Sequence, residues 1–206
     1  MPVTLDAEIP LPLTADRPRK RWTREEFLLL EQAGVGELSQ YELIEGALIR
    51  KKGKKLPHIL CLLVASKLLR AIFGYDLILQ EPAIDVSPED TPTSAPEPDL
   101  VLLTKPAQDS GAGSIRPSDI RLVIEVSDIT LRSDLTAKAP LYARAGIAEY
   151  WVLDLTGRRT FVHRDPLQGI YSHIAIYSSH ESIASLANPD AAITVSDLFP
   201  PHPQGA

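Results

Sequence analysis

The order of apolar and polar positions divides the chain into a helix and hairpin at the front, a long helix, and a strand-rich remainder. Thr23-Arg24-Glu25-Glu26 is a capping-box pattern ahead of Phe27 to Leu30 and predicts a first helix ending near Ala33-Gly34. Tyr41 to Ile49 reads as strand, turn and strand, with Gly46 at the bend. From His58 to Phe73 the pattern predicts a mostly buried helix with Lys67 and Arg70 on its wet side and Cys61 in the core. Residues 76–86 alternate as a long strand would, although Pro82 points to an edge or a bulge. Ser87 to Pro98 holds four prolines and reads as a loop, Asp99 to Leu103 as a short strand, and Thr104 to Asp119 as a connection.

The centre of the pattern is Leu122 to Val126, a short apolar run of the kind a sheet buries on both faces, with Glu125 in its middle. A lone buried carboxylate is costly, so Glu125 must be paired, protonated or bound to a cation. Ser133 can cap a helix through Lys138, Leu141, Tyr142 and Ala145, which Gly146 closes and Pro140 weakens or kinks. Tyr150 to Asp154 is a second strand, so the unit reads strand, helix, strand, and a parallel crossover is its natural topology. Trp151 and Tyr142 are assigned to core packing. Arg159 to His163, Gly169 to Tyr177 and Ala192 to Phe199 supply the closing strands and a short turn.

Composition narrows the class. The 206 residues are 44% hydrophobic, enough for one domain with a real core, expected over residues 22–199 between an N-terminal arm, 1–21, and a C-terminal tail, 200–206. A net charge of −6 does not mark a general polyanion binder. Contact with phosphates must then come from the one dense basic cluster, Arg50, Lys51, Lys52, Lys54 and Lys55. The single cysteine excludes an intramolecular disulfide and favours a reducing, cytoplasmic setting. The N-terminus lacks a signal peptide's apolar core, and the longest apolar run, Ile59 to Ala65, is far below the ~20 residues of a membrane span, so no membrane partner is expected.

Asp99 and Glu125 each sit on or at the mouth of an apolar strand, and Lys138 follows on a helix. Two carboxylates and a backbone carbonyl make a hard oxygen site of the kind Mg²⁺ or Mn²⁺ takes. A neighbouring lysine can orient an attacking water, and together these are the equipment of a phosphodiester hydrolase.

Pro98-Asp99, Glu125-Val126-Ser127 and the run Lys138 through Tyr150-Trp151 resemble the PD-(D/E)XK nuclease superfamily. The closest likeness is to the Uma-two family of bacterial restriction-endonuclease-like proteins, through YELIEG, PDLVLL, LVIEVSD and KAPLYARAGIAEYWVLD. The resemblance implies an α/β restriction-endonuclease-like core, a central mixed sheet flanked by helices, and metal-dependent endonucleolytic cleavage of DNA. It also implies that Asp99 and Glu125 ligate the metal, Val126 offers its carbonyl, Lys138 is the catalytic lysine and Glu42 is an additional carboxylate. His58, Glu45 and Asp134 are candidates for supporting positions. One departure stands out: Ser127 occupies the place of the superfamily's usual lysine, which in the resembled family comes from the helix, as Lys138 does. Analogy with enzymes that cut both strands implies a two-fold homodimer. Two other readings stay open: a catalytically inactive DNA- or protein-binding module on the same fold, and a hydrolase of small phosphate esters.

Overall fold

The computed structural model describes residues 20–51, 55–109 and 113–201; nearly all of the arm, Lys52, Lys54 and most of the tail lie outside them. The capping box forms as predicted: Thr23 caps α1 (Arg24–Gln32), with reciprocal bonds to Glu26. A hairpin follows, β1 (Tyr41–Ile44) and β2 (Ala47–Arg50). Glu45 and Gly46 both have positive φ, 49° and 79°, as a tight two-residue hairpin turn requires.

The body is a six-stranded sheet in the order β3 (Ile78–Gln80), β4 (Leu100–Leu103), β5 (Ile120–Ser127), β6 (Glu149–Asp154), β7 (Arg159–Leu167), β8 (Ile170–Ser178). Only β5 and β6 run parallel, joined by the crossover the pattern predicts; the other neighbours are antiparallel. Side-chain alternation gives each face its own core. Leu122, Ile124 and Val126 pack with Leu100, Leu102 and Trp151 against α2 (Leu56–Phe73). Val123 and its neighbours Val101, Leu103, Tyr150 and Val152 pack against α4 (Ala139–Arg144). A second hairpin, β9 (Ser182–Ser185) and β10 (Asn188–Thr194), closes over the first core.

Three expectations are corrected. The long strand over 76–86 shrinks to β3, because Glu81 turns to φ 51° before Pro82, and Ile84 keeps only an isolated bridge to Ile115. Helix α2 is not mostly buried. Cys61, Leu62, Ala65 and Leu69 form its one stripe against the sheet, while Leu56, Ile59, Leu60 and Leu63 on the opposite side are exposed. It has the length and mean hydropathy, 1.7, of a membrane-crossing helix, but that inner stripe is built into the sheet's core. Ser133 is no cap either, since helical backbone already begins at α3 (Leu131–Ser133). A π turn over Asp134–Lys138 then links α3 to α4. Pro140 explains it: the ring would collide with the carbonyl four residues back in a regular helix, and the wider turn makes room.

Candidate active site

Glu125 shares its face of β5 with Val123, so it points at the α4 side of the sheet. From that side Lys138 and Tyr142 come down on it: Lys138 Nζ donates to Glu125 Oε1 at 2.8 Å, and the Tyr142 hydroxyl to the same oxygen at 3.0 Å. Lys138 Nζ also lies 3.1 Å from Glu42 Oε2. The front hairpin brings Glu42 there because Ala95 and Gly46 tie it to the proline-rich loop through bonds from Ala95 N to Leu43 O and from Gly46 N to Thr93 O, both 2.7 Å.

The β4–β5 register pairs Leu100 with Ile124, and one step further along it Asp99 stands opposite Glu125. Asp99 Oδ2 accepts from the Val126 N–H at 2.8 Å, and its Oδ1 lies 3.1 Å from His58 Nε2. The N–H and C=O of one strand residue point the same way, so the Val126 carbonyl faces the same edge as Asp99. Asp134, at the start of the π turn, accepts from the Ser127 hydroxyl. Ser127 thus anchors the turn that carries Lys138.

Glu42, His58, Asp99, Glu125, Val126, Asp134 and Lys138 line an open cleft of about 980 Å³ together with Arg50, Lys51, Lys55, Glu81 and Glu97, while Tyr142 and Ser127 lie behind it. Lys51 is paired to Glu97 at 2.8 Å. A somewhat larger depression of about 1080 Å³ lies around Arg24, Asp85, Arg116 and Arg144 and contains none of the candidate residues. Its arginines are already engaged by Asp85, Asp119, Asp90 and Glu45. The smaller cleft is therefore the one with chemistry to offer. Glu45 is not brought into it; the residue is exposed at the hairpin turn and pairs with Arg144.

Glu42, Asp99, Glu125, Asp134 and the Lys138 ammonium are all buried at this cleft. Burial pushes Glu125 well above the usual carboxylate range, Lys138 pulls it back, and the charges of Asp134, Asp99 and Glu42 add to the rise. Asp134 is raised by burial as well, against the pull of Lys138 and bonds from Ser127 and Thr130. Burial would lower Lys138, but Glu125, Glu42 and Asp134 outweigh it and keep the ammonium charged above its ordinary value. Cys61, pushed up to about 12 chiefly by burial, is an inert thiol.

Among the described residues no three acidic, histidine or cysteine side chains converge as a metal's ligands would, and the Lys138 ammonium sits between Glu42 and Glu125. The sequence pattern missed Tyr142 and Ser127 as members of the site. Tyr142 stands four residues after Lys138, the spacing that places two helix residues on one face, and that spacing was the available signal.

A mixed sheet with facing carboxylates on adjacent strands and a helix-borne lysine defines a restriction-endonuclease-like α/β nuclease fold. The chain belongs to the Uma2 family, described as "putative restriction endonuclease", which it matches over residues 24–196. Among solved structures it is similar to a nuclease, itself described as putative, belonging to DUF820 from Anabaena variabilis. The two share 15% identity and a TM-score of 0.64 over 86% of this chain and 97% of that one, a likeness of fold. No curated protein matches the chain.

Proposed function

We propose that the chain is a divalent-metal-dependent endonuclease that hydrolyses DNA phosphodiester bonds, with residues 22–199 as its nuclease domain. The observation that carries this reading is the juxtaposition of Asp99, Glu125 and Lys138 at one end of β4 and β5. The donor set fits Mg²⁺ or Mn²⁺: the carboxylates of Asp99 and Glu125 and the Val126 carbonyl are hard oxygens at one cleft. When bound, the cation supplies positive charge to the scissile phosphate and to the attacking water.

The chain's own residues do the rest. His58 and the Val126 N–H hold Asp99 in place, and Tyr142 and Lys138 hold Glu125. Lys138 orients the water for in-line attack, and Glu42 keeps the ammonium at the cleft. Arg50, Lys51 and Lys55 give the cleft its phosphate-binding lip. Cutting both strands needs two active sites or two visits, and by analogy we take the working form as a two-fold homodimer in the cytoplasm, with the apolar stripe of α2 exposed.

The test is nicking of supercoiled plasmid with Mg²⁺ or Mn²⁺, beside EDTA and a Lys138→Ala control. Metal-dependent nicking that drops by at least about a hundredfold in the variant is the expected result. The rival, a binding module that keeps the fold, draws support from the net charge of −6 and from an ammonium already paired to two carboxylates. No nicking by folded protein, with Mn²⁺ affinity unchanged in Glu125→Ala, would favour that rival.

A further inference from the structure

Tyr142 is fully buried, and its ring alone would satisfy the core. Its hydroxyl does more: it donates to Glu125 Oε1, the oxygen that Lys138 also holds. Oε2 takes part in neither bond. The ring is fixed in turn, packed edge-on against Tyr150 with centroids 5.0 Å apart, and the Tyr150 hydroxyl donates at 3.2 Å to the Asp134 carbonyl in the π turn. Lys138 cannot set the carboxylate's rotation by itself, because Glu42 competes for the same ammonium at 3.1 Å. A flexible lysine shared between two acids leaves Glu125 free to turn, whereas a rigid phenol on a clamped ring does not.

We propose that Tyr142 is a positioning residue for Glu125, fixing the carboxylate so that Oε1 serves the tyrosine and lysine while Oε2 is presented to the cleft. The proposal rests on the nuclease reading above and adds a residue to it. Partners of this kind, which orient a metal-ligating group, typically change metal affinity or activity 10–100-fold when removed.

The experiment compares wild type, Tyr142→Phe and Tyr142→4-aminophenylalanine, the last restoring a donor on the same ring. Mn²⁺ affinity is read by calorimetry, and plasmid nicking as kcat and KM at saturating Mn²⁺. We expect Tyr142→Phe to bind Mn²⁺ about 10–100-fold more weakly and to lose kcat with KM for plasmid unchanged. The amino variant should recover both. Wild-type values in Tyr142→Phe would overturn the proposal, as would an amino variant that folds but recovers neither property, since the loss would then belong to packing. If Tyr142→Phe does not fold, the amino variant decides: wild-type Mn²⁺ affinity and kcat support a donor at this position, and their loss overturns it. A wild type that neither binds Mn²⁺ nor nicks plasmid sinks the nuclease reading itself, a result distinct from an active wild type indifferent to Tyr142.

Discussion

His163 on β7 is buried among aromatic rings, 5.4 Å from Tyr150 and 5.7 Å from Tyr171 between centroids, and its Nδ1 has no partner among the described residues. Burial holds its pKa below the ordinary 6.5, against a backbone hydrogen bond with Tyr150. The unfolded chain therefore takes up the proton first as the pH falls through about 6.5, so this residue's contribution to stability shrinks from there toward acid. His163→Phe keeps the ring and removes the titration. Thermal unfolding between pH 7.5 and 5 should show a smaller loss of Tm in the variant than in wild type. Parallel slopes for the two proteins would contradict the assignment. At this same scale Glu125 was legible in the sequence, because a carboxylate inside an apolar strand is costly anywhere. Tyr142 was not, because an aromatic residue at a helical spacing looks the same whether or not its hydroxyl has a partner.

Among the elements, the β9–β10 hairpin is held by its core residues Ile183 and Ile193 and by one side chain of β6. Glu149 is fully buried and accepts bonds from Arg164, the Trp151 indole, the Ser185 hydroxyl and the Leu186 N–H. Removing one partner of a buried charge network strands the others, at a cost of about 3–5 kcal/mol. Glu149→Ala should lose that much in urea unfolding, and a loss under 1 kcal/mol would show the hairpin to be held by its apolar contacts instead. The pattern missed β9, whose four residues are too short to show an alternation. It overextended β3 for the opposite reason: alternation continued past a backbone turn at Glu81 that apolar spacing does not report.

For the whole molecule, Leu56, Ile59, Leu60 and Leu63 of α2 are exposed, and the homodimer proposed above would cover them. Light scattering behind gel filtration should give a dimer at micromolar concentration, and Leu60→Glu a monomer; a strict wild-type monomer would sink the homodimer. What the sequence determined by itself was whatever is local or periodic: the capping box at Thr23, the hairpin at Gly46 and the strand–helix–strand unit from Leu122 to Asp154. These follow from hydrogen bonding and burial within a few residues of each position. Only the tertiary structure decided which side of α2 the sheet covers, that Glu45 turns to Arg144 while Glu42 reaches Lys138, and that Ser127 anchors the π turn. Those outcomes depend on groups far apart in the chain competing for the same partners, and a linear pattern carries no record of which one is near enough to win.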